Sequence, residues 1–180
     1  MCVCVRFLVI LGHRSGGISV MQMHSGNVQY RVSAHNGQDV HCIRAYPDTN
    51  CILTAGEDRS VLVWRVFPHA QDCVSLQVSV FCAHTPVCVA MLDSLLTICL
   101  QQPQSATFSL VQYDLNTHTR TDHPPHHDHS STITGLCVCP RLCVFVSCSQ
   151  DSTVRIWDEE NRLVRSAQCV CVHVCVYSRN

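Results

Sequence analysis

The sequence predicts an all-β chain assembled from repeated four-stranded units. Three observations carry that prediction. Residues 54–65, TAGEDRSVLVWR, reappear without a gap as residues 147–158, SCSQDSTVRIWD, so that Asp58 matches Asp151, Val61 matches Val154 and Trp64 matches Trp157. Strand-ending positions at Met21, Trp64, Tyr113 and Trp157 share one rhythm with His35, His84 and His129, and that rhythm fits the roughly 40–45-residue period of a four-stranded repeat. Within each copy apolar residues alternate, as Val61 and Val63 do against Leu62 and Trp64, which is the two-residue period of a half-buried strand.

The elements follow in chain order. Residues 1–11 open with MCVCV, an alternation of Val and Cys such as a GT-dinucleotide tract encodes. They are expected to be low-complexity or non-native sequence outside the repeats. Residues 12–34 are expected to hold the last two strands of a partial unit, 18–23 and 28–33, around the turn His24-Ser25-Gly26-Asn27. Residues 35–83 form a full unit with strands at 40–45, 51–55, 60–66 and 74–81. Its turns are Tyr46-Pro47-Asp48-Thr49-Asn50 and Gly56-Glu57-Asp58-Arg59.

Residues 84–128 form a degenerate unit. Strands are expected at 87–91 and 95–100, but QQPQSA replaces the tight turn and Tyr113-Asp114 stands where Trp-Asp is expected. Its polar, His-rich end at 117–131 reads as an outer strand running into a solvated loop. Residues 129–167 form another full unit, with strands at 133–139, 143–147, 153–157 and 163–167. The Val-Cys tail, 168–180, is expected to lie outside the fold.

Composition excludes several classes of function. The formal net charge of −1 leaves no basic footprint for nucleic acid and no polybasic patch for a membrane. No apolar run reaches the roughly 18 residues of a membrane span, and Arg6 interrupts the apolar start that could pass for a signal peptide. The 15 cysteines are odd in number and mostly sit in apolar strand-like runs, where a thiol packs as a small hydrophobe. A reduced, cytoplasmic chain is expected.

No GxSxG elbow, P-loop or paired-glycine dinucleotide fingerprint is present. A catalytic triad would occur once, whereas His, Ser or Thr, Asp and Trp recur from unit to unit. No enzyme activity and no cofactor are therefore expected. The segment DHPPHHDH places His123, His126, His127 and His129 close together, a pattern that can attract zinc, copper or nickel. The reading adopted is a solvated loop with no metal site, in which His129 alone is structural.

The strand–Asp–strand–Trp pattern resembles WD-repeat β-propeller blades over about 150 residues, from Gly12 to about Ala167. That resemblance implies a partial propeller of about three and a half blades, open rather than closed, since closure takes 4–8 blades. It also implies a buried hydrogen-bonded network in each blade. The first full blade would supply His35, Thr54, Asp58 and Trp64, and the last His129, Ser147, Asp151 and Trp157. The degenerate blade would contribute His84 alone.

Function then follows by resemblance: a non-catalytic scaffold for other proteins or peptides, contributing its blades to a larger platform. The expectation is a piece of a longer propeller chain or a truncated isoform that needs further blades. Two alternative roles stand beside it. A ubiquitin-ligase substrate receptor would carry an Arg shortly after Trp-Asp, where this chain has Glu159-Glu160. A component of a motile-cilium assembly is suggested by the degenerate repeats and long loops, and places the chain in the cilium.

Overall fold

The computed structural model describes residues 1–5, 7–102 and 106–169, which divide into two compact units, Met1–Pro86 and Val87–Asn180. Among the described residues there is no α-helix, and none of the helical turns is long and apolar enough to cross a membrane.

The first unit holds two antiparallel sheets, each with its strands in sequence order. One comprises β1 (Cys2–Val5), β2 (Leu8–Gly12), β3 (Gly17–Gln22) and β4 (Val28–Ser33). The other comprises β5 (Val40–Tyr46), β6 (Cys51–Gly56), β7 (Ser60–Val66) and β8 (Val74–Phe81). Their inward residues make one core in which Val5, Leu8, Ile10, Ile18 and Val20 meet Ile43, Ile52, Leu62 and Trp64.

This corrects the expectation for residues 1–11. The Val-Cys alternation is itself a period-two apolar pattern, and β1 pairs with β2 from Cys2↔Leu11 to Val5↔Leu8. Val5, Leu8 and Ile10 are fully buried. The sheet therefore has four strands rather than two, and the described residues form four such sheets rather than three and a half.

The second unit holds the third sheet, β9 (Thr85–Leu92), β10 (Leu95–Gln102), β11 (Thr107–Asp114) and β12 (Thr119–Asp122). The fourth sheet is β13 (Ile133–Cys139), β14 (Val144–Ser149), β15 (Thr153–Trp157) and β16 (Leu163–Gln168). Ala90, Leu92, Phe108 and Leu110 pack with Leu136, Phe145 and Trp157 in its core. Gln168 closes β16, and the Cys169 N–H bonds the Ser152 carbonyl. The rest of the expected tail, and residues 103–105 of the QQPQSA loop, lie outside the described residues.

Two local devices recur. The first is the β6–β7 and β14–β15 turn. There Arg59 and Ser152 adopt left-handed backbone, φ 62° and 61°, while the preceding Asp accepts the N–H two residues on: Ser60 to Asp58 at 3.1 Å, Thr153 to Asp151 at 2.8 Å. A short acceptor side chain beside a positive-φ residue is what such a turn requires. The second is a register shift in the third strand, between Val20 and Met21, Val63 and Trp64, and Ile156 and Trp157. Each bulge re-aims the strand-ending side chain. The third sheet has no shift in its β11–β12 pairing.

Candidate functional site

The two full repeats bring their predicted residues together. In the second sheet the Thr54 hydroxyl donates to His35 Nε2 at 2.8 Å, and Trp64 Nε1–H donates to Thr54 Oγ1 at 2.9 Å. His35 Nδ1–H faces Asp58 Oδ1 at 2.9 Å. In the fourth sheet the Ser147 hydroxyl donates to His129 Nε2 at 2.8 Å, Trp157 Nε1–H donates to Ser147 at 2.9 Å, and His129 Nδ1–H donates to Asp151 at 2.8 Å. The bonds fix the tautomer: the carboxylate takes the Nδ1 proton and leaves Nε2 to accept.

Register explains why these residues meet. Trp64 pairs with Ile52 and Trp157 with Phe145, which leaves Thr54 and Ser147 two residues further on, on the same face. In the third sheet Tyr113 pairs with Leu96, so the matching position is Ile98. The expected role of His84 is thereby corrected. An aliphatic side chain offers an imidazole no partner, and His84 makes no hydrogen bond among the described residues. In the first sheet His13 Nε2 instead bonds Ser19 Oγ at 2.7 Å.

One member of each network was missed from the sequence. Ser60 and Thr153, each two residues after the turn Asp, donate their hydroxyls to it at 2.7 and 2.6 Å. A signal existed, because both copies read Asp-x-hydroxyl. Gly56 was also missed as a determinant. A Cβ there would stand 2.5 Å from His35 Nδ1 and 2.9 Å from Asp58 Oδ1, so the ring and the carboxylate occupy the space a side chain would need.

Electrostatics follow the geometry. Burial works against the charge of Asp58, but the hydrogen bonds from Ser60 and His35 outweigh it and hold the carboxyl below its ordinary range. Asp151 is held lower still: burial opposes the charge, and bonds from Thr153, His129 and Ser130 overcome it. Burial lowers the pKa of His129, with Asp151 only partly offsetting it. The His129–Asp151 pair therefore rests as neutral imidazole and carboxylate.

A hydroxyl, an imidazole and a carboxylate in line form the geometry of a catalytic triad. Here they cannot act as one. Ser147 and Thr54 are each 0% exposed, so no substrate reaches them, and a Trp N–H occupies the hydroxyl oxygen. A nucleophile needs access before pKa matters. Among the described residues no group of three or more His, Cys, Asp or Glu is placed to hold a metal ion.

The second unit carries a different buried polar device. Asn161, 0% exposed, donates to the Leu110 carbonyl at 3.3 Å and the Thr121 carbonyl at 2.9 Å, while Gln112 donates to the Asp158 carbonyl at 3.0 Å. These bonds tie the β15–β16 turn to β11 and β12. Nothing in the sequence spacing announces them.

One surface stands apart from the buried networks. At the turns β1–β2 and β3–β4 of the first sheet, Phe7 is 68% exposed and Met23 48%, and the Phe7 ring stacks on His24 with centroids 5.6 Å apart. The Met23 N–H bonds the Phe7 carbonyl, which locks the two turns side by side.

The WD domain, G-beta repeat family matches residues 26–65 and 118–158, spans that contain both complete networks. Human WD repeat-containing protein 97 is 39% identical over 163 residues, 91% of this chain, and the chain spans about a tenth of that relative's length. Two crystal structures of computationally designed proteins, Ika8 and Ika4, superpose with a TM-score of 0.67 at 19% identity over 87% of this chain. The match takes up 44% of the first and 88% of the second, a likeness of fold alone. Four blade-type sheets, two networks of His, hydroxyl, Asp and Trp, and a shared repeat place the chain in the WD-repeat family, with the fold of a partial β-propeller.

Proposed function

We propose that the chain is a non-catalytic protein-interaction scaffold that contributes four blades to a larger propeller platform. WD-repeat proteins generally act as scaffolds of this kind. One observation carries the reading here: the chemically capable side chains are buried in framework bonds, whereas large apolar ones face solvent at Phe7 and Met23. Exposed aromatic and Met side chains beside a rigid backbone are what protein partners bury. A cytoplasmic setting is part of this proposal, since most of the cysteines sit in apolar strands, where a thiol packs as a small hydrophobe.

The test is affinity capture by the wild-type chain and by a Phe7→Ser, Met23→Ser double variant. A specific partner retained by the wild type and lost by the variant, at unchanged melting temperature, supports the proposal. Failure to retain any specific protein, or equal retention by the variant, refutes it.

A further inference from the structure

We propose that the loop between β12 and β13 binds a borderline divalent cation, zinc(II) or a late first-row neighbour, through the Nδ1 atoms of His123 and His127. The loop follows Asp122, the last residue of β12, and contains His123, Pro124, a single 3-10 turn over Pro125–His127, and Asp128. The sequence suggested a solvated segment. Instead the His123 side chain is only 2% exposed and its ring lies against Trp157, centroids 4.4 Å apart.

The hydrogen bonds define what each nitrogen can do. His123 Nε2 faces Asp128 Oδ1 at 3.0 Å, so the carboxylate takes the Nε2 proton and Nδ1 keeps its lone pair. That Nδ1 is buried and has no partner, and the Nδ1 of His127 is in the same condition. The two rings lie within 26° of parallel, with centroids 6.5 Å apart. Arg155 donates to the His127 carbonyl and fixes the backbone of the turn.

Buried imidazole nitrogens normally find a donor, an acceptor or a metal. Two orphaned in one loop, one of them on an imidazole oriented by a carboxylate, match the way proteins prepare a metal ligand. The carboxylates of Asp128 and Asp151 supply negative charge against Arg155. Exposed His126 packs edge-on against His127 at 4.2 Å, a third imidazole beside the pair. Imidazole pairs of this kind select zinc, copper or nickel over magnesium or calcium.

Equilibrium dialysis against micromolar zinc tests the site in the full chain. Wild type should hold one more zinc per chain than either His123→Asn or His127→Asn, and His69→Asn, in an exposed loop of the other unit, should match wild type. Asp128→Asn should weaken binding by about 10–100-fold. Zinc should also raise the melting temperature of wild type and not that of the two histidine variants. Should His123→Asn fail to fold, His127→Asn, whose ring is only half-buried, decides the matter. Equal zinc content in wild type and His127→Asn overturns the proposal.

Discussion

Asp151 is where the fourth sheet is most sensitive to a single change. It accepts from His129 Nδ1 at 2.8 Å, from the Thr153 hydroxyl at 2.6 Å, and from the N–H groups of Thr153 and Ser130 at 2.8 and 3.0 Å. In Asp151→Ala the Ser130 and Thr153 donors can turn to water, since neither residue is buried. His129 cannot, being 3% exposed. Its N–H keeps only the longer contact to the Thr153 hydroxyl, at 3.2 Å, and losing the carboxylate bond together with the charge-assisted turn bonds brings the expected loss to about 1–3 kcal/mol. Urea unfolding with an unchanged m-value reads this directly. Asp58→Ala should lose a similar amount, because Asp58 holds the same partners in the second sheet. A double-mutant cycle sharpens the test. Removing His129 together with Asp151 should cost less than the sum of the single changes, since each single change already breaks the bond they share. A loss below about 0.5 kcal/mol in Asp151→Ala, the range of neutral surface changes, or strict additivity with His129→Ala, would refute the network's role.

Two further outcomes follow from the same geometry. Gly56→Ala drives a methyl to 2.5 Å from His35 Nδ1 and should cost about 1–3 kcal/mol as an overpacked site; a melting temperature unchanged from wild type would contradict the packing described. Acid should destabilise the chain in two stages. His129 has a folded pKa below its ordinary 6.5, so the unfolded chain takes up the proton first and stability declines as pH falls below about 6.5. Asp58 and Asp151 are depressed below their ordinary 3.8, so their contribution is present above that value and is lost as pH falls further, towards their folded pKa values. Melting temperatures that stay flat between about pH 8 and pH 5 would remove the His129 assignment.

What the sequence disclosed depended on how distinctive each residue type is. His35, Thr54, Asp58 and Trp64 could be read as a set because the same four chemistries recur with His129, Ser147, Asp151 and Trp157. The third sheet was harder. The QQPQSA insertion changes the distance from the second strand to Tyr113, and only the pairing Leu96↔Tyr113 shows that Ile98 holds the hydroxyl position. The first two strands were hidden by their composition, because MCVCV looks like low complexity until Val5, Leu8 and Ile10 are seen in the core. The burial of His123 was not legible at all. It depends on the Trp157 ring of β15 lying against the His123 ring, a contact that no local pattern encodes.

The third sheet shows that the polar network is one solution among others to holding a blade together. Where the second and fourth sheets bury Thr54 and Ser147, it buries Ile98 between Leu96 and Leu100, all three almost fully enclosed. Replacing a buried polar set by well-packed apolar side chains is often neutral for stability, so the loss of His84 as a network member need not weaken the strands. What apolar packing cannot supply is direction, because it does not fix which groups must meet. In the second unit that direction comes from Asn161 and Gln112, whose bonds reach three carbonyls of β11, β12 and the β15–β16 turn. Side chains on the degenerate sheet are thus held in register by a neighbouring turn rather than by their own network. That arrangement leaves the β12–β13 loop, with its two orphaned imidazole nitrogens, free to take on a role the regular repeats do not have.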